Sequence, residues 1–127
     1  MNIKIFEKEF PMAYTVAAQS EIAKRFGGIE NIEVAFDDKN VAGTMENAVF
    51  IAACMVKAAV DRECVQCKVM GKPAPEYIQL SAEEIAAAID PAEVKKLMPA
   101  IMETIKEGNQ ITVEVEPQKG KNAEAMP

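Results

Sequence analysis

The chain has 127 residues, which fits one domain able to bury roughly two thirds of its unfolded surface. Its net charge is −6 and it has no cluster of Lys and Arg, which argues against nucleic acid as a partner. The most apolar run, residues 48–60, contains Lys57 and is shorter than the roughly 20 residues that cross a bilayer. With no secretion signal at the N-terminus, we expect a cytosolic protein without a membrane segment.

The first residues predict a β-hairpin. Apolar side chains occupy alternate positions in residues 2–6 and again in residues 9–13, the period expected of half-buried strands. We place the turn around residues 7–8, although it lacks the Asn-Gly pair typical of tight hairpins. Pro11 would confine its strand to a sheet edge.

Helices are predicted in the rest of the first half. Thr15 can cap a helix that ends at the glycines 27–28, where a positive φ costs little. Residues 29–36 fit both a helical and a strand period; we favour a short helix, followed by a polar turn over residues 37–40. Thr44 then opens a long helix that is apolar on most sides, as expected in the middle of a bundle or under a partner.

Capping signals define the second half. Glycine and prolines predict a loop over residues 67–80. Ser81 and Glu84 match a capping box, in which each side chain satisfies a backbone N–H at a helix start. Asp90 can cap a second helix, with Pro91 at its first position and Glu93 in its first turn, so one helix should end and another begin there.

The last helix carries the most regular apolar stripe, at steps of three and four residues. Pro99 lies inside it and predicts a kink, and Gly108 is expected to end it. Residues 111–116 alternate like an edge strand. Residues 117–127 are so polar that ordering them would bury too little apolar surface to offset the loss of conformational entropy. The sequence therefore predicts a mainly α fold: residues 1–116 form one small helical bundle with an N-terminal β-hairpin, and a flexible polar tail follows.

The chain lacks side chains that most catalytic sites use. The chain has no His, which removes the commonest general base and the commonest metal ligand. Ser81 is better explained as a helix cap than as a nucleophile, and the glycines 27–28 lack the Lys and hydroxyl of a phosphate-binding loop. We predict a protein that is not an enzyme and has no cofactor and no metal.

Three cysteines are the remaining chemical feature. Cys64 and Cys67 have the spacing of half a zinc site or of a redox dithiol, and Cys54 precedes them. Three cysteines without His cannot complete a four-ligand shell of Cys and His in one chain, although zinc shared between chains stays open. A redox dithiol would start a helix after a strand, whereas this pair ends an apolar helix. We favour small packing thiols, with a cysteine-based metal or thiol sensor as an alternative function.

The order of these elements resembles a known family. A short hairpin is followed by a helix closing in residues 25–30 (RFGGIE), an apolar central helix, a capped start at residues 81–85 (SAEEI) and a polar tail containing residues 120–123 (GKNA). This arrangement is similar to that of the tail assembly chaperones encoded by long-tailed phages and prophages of Gram-positive bacteria.

The resemblance implies a non-enzymatic protein that works in the host cytoplasm and leaves before the virion is complete. It would bind the tape-measure protein and help tail-tube subunits assemble; a structural head or tail connector is an alternative. The apolar excess of the helices and the eight Met residues suit an adaptable partner surface, and also indicate self-association. The residues assigned to partner binding are Phe10, Met12, Leu97, Met98, Ile101, Met102 and Ile105.

Overall fold

The computed structural model describes residues 2–28 and 41–114. They form a two-stranded hairpin and four helices, which confirms the predicted fold class of a mainly helical domain with an N-terminal hairpin. The strands are β1 (Asn2–Ile5) and β2 (Lys8–Pro11), and the helices are α1 (Val16–Phe26), α2 (Val41–Val69), α3 (Ala82–Ala88) and α4 (Pro91–Glu114). The short helix and turn predicted over residues 29–40, and the tail 117–127, lie outside the described residues. No helix in the described part is long and apolar enough to cross a membrane.

The hairpin turns one residue earlier than predicted. Ile3 pairs with Phe10 and Ile5 with Lys8, which leaves Phe6 and Glu7 as a two-residue loop. Both loop residues have positive φ, 50° and 72°, which a tight hairpin needs to match the strand twist. Neither is Gly or Asn, so their residue types do not indicate a turn at this position. Because the sheet has only two strands, both are edges.

Helix α1 has the ends that were predicted. The Thr15 hydroxyl accepts a hydrogen bond of 3.2 Å from the backbone N–H of Ala18 and so caps the first turn. Gly27 adopts a left-handed φ of 79°, and its N–H donates to the carbonyl of Ala23 at 2.8 Å. The buried Ala18 and Ile22 set the face that packs on α2.

Helix α2 is the central element, since α1, α3, α4 and β2 all pack against it. It begins at Val41 rather than at Thr44 and continues to Val69, past the predicted loop start at residue 67. The first strong breaker is Gly71, with a φ of 72°, which explains the later end. Many side chains of its middle turns are buried: Ala48, Val49, Ile51, Ala52, Met55, Val56, Ala58 and Val60.

The end of α2 projects beyond the core. Among residues 61–69, all of which the structure describes, no side chain is buried. Residues 72–80 contain neither helix nor strand and return to the bundle, where Gln79 and Leu80 line the same space as Val60 and Asp61. We call residues 61–80 the arm. It holds five of the large exposed apolar side chains: Val65, Val69, Met70, Tyr77 and Ile78.

Helices α3 and α4 start as the sequence predicts. The Ser81 hydroxyl accepts from the N–H of Glu84 at 3.1 Å, and the Glu84 carboxylate accepts from the N–H of Ser81 at 2.9 Å. These two bonds complete the capping box. At the start of α4 the Glu93 carboxylate accepts from the N–H of Asp90 at 2.9 Å.

The predicted end of α4 at Gly108 is wrong, because the helix continues to Glu114. A Cβ at Gly108 would lie 2.8 Å from the carbonyl oxygen of Tyr14, so this glycine serves close packing rather than a turn. The edge strand predicted over residues 111–116 is also wrong for residues 111–114, which are helical; residues 115–116 lie outside the described part. The helix runs through Pro99 without ending, and the kink there stays a prediction.

Candidate protein-binding site

A groove lies where α1 crosses the middle of α2 and where the arm returns to the bundle. Its volume is about 790 Å³, and it opens to solvent. The lining comes from four segments: Ala17, Ala18, Ser20 and Glu21 of α1; Phe50, Ala53, Cys54, Val56, Lys57, Ala58, Val60 and Asp61 of α2; Gln79 and Leu80 at the end of the arm; and Ser81, Ala82 and Glu84 at the start of α3.

The groove exists because small side chains stand where two helices and the returning arm meet. Ala17 and Ser20 are exposed on α1, and Ala53 and Cys54 are half-buried on α2. Larger residues at these positions would fill the space between the elements. Small lining side chains allow another segment of chain to come close to the α1 and α2 backbones.

Phe26, Phe50 and Arg25 pack together on the side of the groove that Phe50 lines. The rings of Phe26 and Phe50 meet edge to face, with centroids 6.3 Å apart and planes at 78°. The Arg25 guanidinium lies 4.5 Å from the Phe50 centroid and 5.8 Å from that of Phe26. The cation therefore covers aromatic surface that links α1 to α2.

The charged groups of the lining have partners within the fold. Lys57 donates to Asp61 at 2.8 Å, and this hydrogen bond is the main cause that raises the pKa of Lys57. Both side chains are largely exposed, so the pair contributes little to stability. The Glu84 carboxylate belongs to the capping box, and Glu21 lies 3.9 Å from Lys24. These contacts leave the floor of the groove mainly apolar.

Cys54 is held as a neutral thiol. Its pKa is raised from 9.0 to about 11, mainly by burial and to a smaller extent by the nearby Glu21 carboxylate, while Arg25 and Lys57 act in the opposite direction. A nucleophilic cysteine needs a lowered pKa, because the thiolate is the reactive form. In the groove Cys54 therefore acts as a small apolar surface.

The seven residues assigned to partner binding do not line the groove. Phe10, Met12, Leu97 and Ile101 are buried in the core, and their assignment to partner binding stays a prediction. The stripe of α4 faces α2 and β1, so its regularity reflects packing within the domain. Met98 and Ile105 are half-buried, and Met102 is 38% exposed.

A sequence signal for the groove did exist. Helix α2 is apolar on more sides than one set of neighbours can cover, and this excess indicated a partner. It could not show which side remains open. That depends on where α1 and the arm cross α2, which is set by contacts distant in sequence.

Among residues 2–28 and 41–114 no group of three or more Cys, Asp or Glu side chains could hold a metal ion. All three cysteines are free thiols and half-buried. Cys54 lines the groove, whereas Cys64 and Cys67 lie on the arm.

The groove, the arm and the element order are thus the features on which a function can be argued. Comparison of the chain with protein-family models, with curated proteins and with solved structures finds no match.

Proposed function

We propose that this protein is a non-enzymatic assembly chaperone of the phage-tail type, which holds an apolar helical segment of a tape-measure protein in its groove. It acts in the host cytoplasm, helps tail-tube subunits assemble around the tape measure and is absent from the finished virion. The observation that carries the binding role is the open, mainly apolar groove of about 790 Å³. The identity of the partner comes from the resemblance in element order.

The lining favours a helix face over a small polar ligand. A site for a polar ligand directs several polar groups inwards, but here Lys57, Asp61 and Glu84 have partners within the fold. An amphipathic helix needs apolar space for side chains at i, i+3 or i+4, and i+7, with little hydrogen bonding. The small side chains of α1 and α2 provide that space.

The expected affinity suits temporary holding. Burial of a Leu-sized side chain contributes about 1.5–3 kcal/mol, so three such anchors contribute about 5–9 kcal/mol before the costs of association. Binding near the micromolar range requires about 8 kcal/mol. A single segment should therefore bind weakly enough to be released when tube subunits arrive.

Co-expression with a tape-measure protein encoded beside this chain tests the proposal. We expect the chain to raise the soluble fraction of the tape measure and to be recovered with it. Ala17→Phe places a ring at the exposed edge of the groove and should weaken recovery by about tenfold, which corresponds to about 1.4 kcal/mol.

The matched control is Ala92→Phe, which adds the same ring at an exposed position of α4 outside the groove. It should leave recovery unchanged. The proposal fails if the tape measure is equally insoluble with and without the chain, or if the two variants weaken recovery equally.

A further inference from the structure

The thiols of Cys64 and Cys67 lie one turn apart on the part of α2 that belongs to the arm. Residues three apart in a helix are surface neighbours, with Cβ atoms about 5–6 Å apart. A disulfide needs about 3.5–4.5 Å between its Cβ atoms, so the regular helix keeps this pair as two thiols. The same spacing allows both sulfurs to bind one zinc ion at about 2.3 Å each.

The Cys64–Cys67 pair supplies only half of the ligands that zinc requires. The whole chain has no His, and no third ligand accompanies the pair within the described residues. Cys54 is ten residues before Cys64, about 15 Å along the helix axis, and is enclosed by the groove. Structural zinc sites are almost always tetrahedral with four protein ligands. A second copy of this chain can supply the two further ligands.

We propose that Cys64 and Cys67 of two copies of this protein bind one zinc ion together, in a four-thiolate site that joins two arms. A two-fold axis through the metal gives each copy the same role and closes the ligand set. The role is independent of the groove, so it adds a metal-linked dimer to the proposed chaperone.

The surroundings of the pair fit contact with a second arm. Met70 lies three residues after Cys67 on the same side of the helix end and is 57% exposed, and Val65 is 59% exposed. Tyr77 and Ile78 lie on the returning segment of the arm, residues 72–80, and are also exposed. Contact between two arms would cover these apolar side chains, which are unfavourable in water.

The charges of the arm also permit the contact. Each whole chain carries −6, which would repel a second copy. The arm is neutral, because three basic and three acidic side chains balance within residues 61–80: Arg62, Lys68 and Lys72 against Asp61, Glu63 and Glu76.

Tyr77 provides a group that can orient the ligands. It lies on the arm together with Cys64 and Cys67 and is 42% exposed. A phenol hydroxyl can donate to a zinc-bound thiolate, and such outer contacts fix ligand orientation in zinc sites.

The test adds zinc to the reduced, metal-free full chain and measures mass and metal content. We expect one zinc ion for every two chains and a rise in mass from 13.8 kDa to twice that value. Cobalt in place of zinc should give thiolate-to-metal charge-transfer bands and the absorption of a tetrahedral ion. A chelator should return the chain to the monomer.

Cysteine variants distinguish metal binding by Cys64 and Cys67 from an effect of Cys54 and from a loss of folding. C64S/C67S should lose both metal and dimer while its helical content and groove binding remain, and C54S should keep both metal and dimer. The inference is overturned by one zinc per chain without a dimer, by equal loss in C54S, or by failure of the reduced chain to retain zinc. A dimer that resists the chelator but is broken by a thiol reductant would be an interchain disulfide and would also overturn it.

Discussion

Replacement of Gly108 by alanine tests how closely α4 approaches the segment between β2 and α1. In a helix interior this change normally stabilises by about 0.8–1.0 kcal/mol. Here the new Cβ would lie 2.8 Å from the carbonyl oxygen of Tyr14 and 2.9 Å from its Cβ, well inside the favourable separation of about 3.5–4.0 Å. A forced shift of packed elements typically costs about 1–3 kcal/mol. We therefore expect net destabilisation of about 1 kcal/mol.

Urea unfolding followed by circular dichroism measures this change, with a lower midpoint and an unchanged slope as the expected result. The melting temperature should fall by about 2–8 °C. Lys106→Ala, at an exposed position of the same helix, is the control and should stay within about 0.5 kcal/mol of the parent. In a Tyr14→Ala background the penalty should persist, because alanine keeps both of the closest atoms. Stabilisation of about 1 kcal/mol by Gly108→Ala would refute the close approach.

Three further outcomes are expected. Ser81→Ala should destabilise the domain by about 0.5–2 kcal/mol in urea unfolding, whereas Ser81→Thr keeps a capping hydroxyl and should lose much less; equal losses would contradict the capping role. The pKa of Cys54 is raised from 9.0 to about 11 on folding, so its stabilising contribution is present below pH 9 and is lost as the pH rises through 11. Between these values the unfolding midpoint of the parent should fall more steeply than that of Cys54→Ala, and parallel curves would show that the thiol is not desolvated. Mass spectrometry of purified virions should not detect the chain, since its presence there would favour the structural connector.

Elements with local chemical signals were predictable from the sequence. The hydroxyl of Thr15 and the φ of Gly27 define α1, and the reciprocal bonds of Ser81 and Glu84 start α3. Each depends on residues at most four apart, so the composition of a short window contains the information. The hairpin was also predictable from its alternation, because a period of two exposes one face and buries the other.

The errors arose where the residue types of a short stretch did not indicate its structure. Gly108 has the composition of a helix end, yet it is glycine because Tyr14 packs against that turn. The turn at Phe6 and Glu7 requires positive φ from residues that rarely adopt it, so nothing in their type indicated it. The position of the groove likewise depends on how α1, α2 and the arm cross, which no short stretch of sequence indicates.

The division of α2 into a buried part and an arm has a consequence for its motions. Backbone amides between Ala48 and Val60 are enclosed by neighbouring elements, so they should exchange hydrogen only when the whole domain unfolds. Amides near Val69 can exchange through fraying from the helix end, at a much lower free energy of opening. One unbroken helix should thus show a steep gradient of protection, and limited proteolysis should cut first at its distal turns.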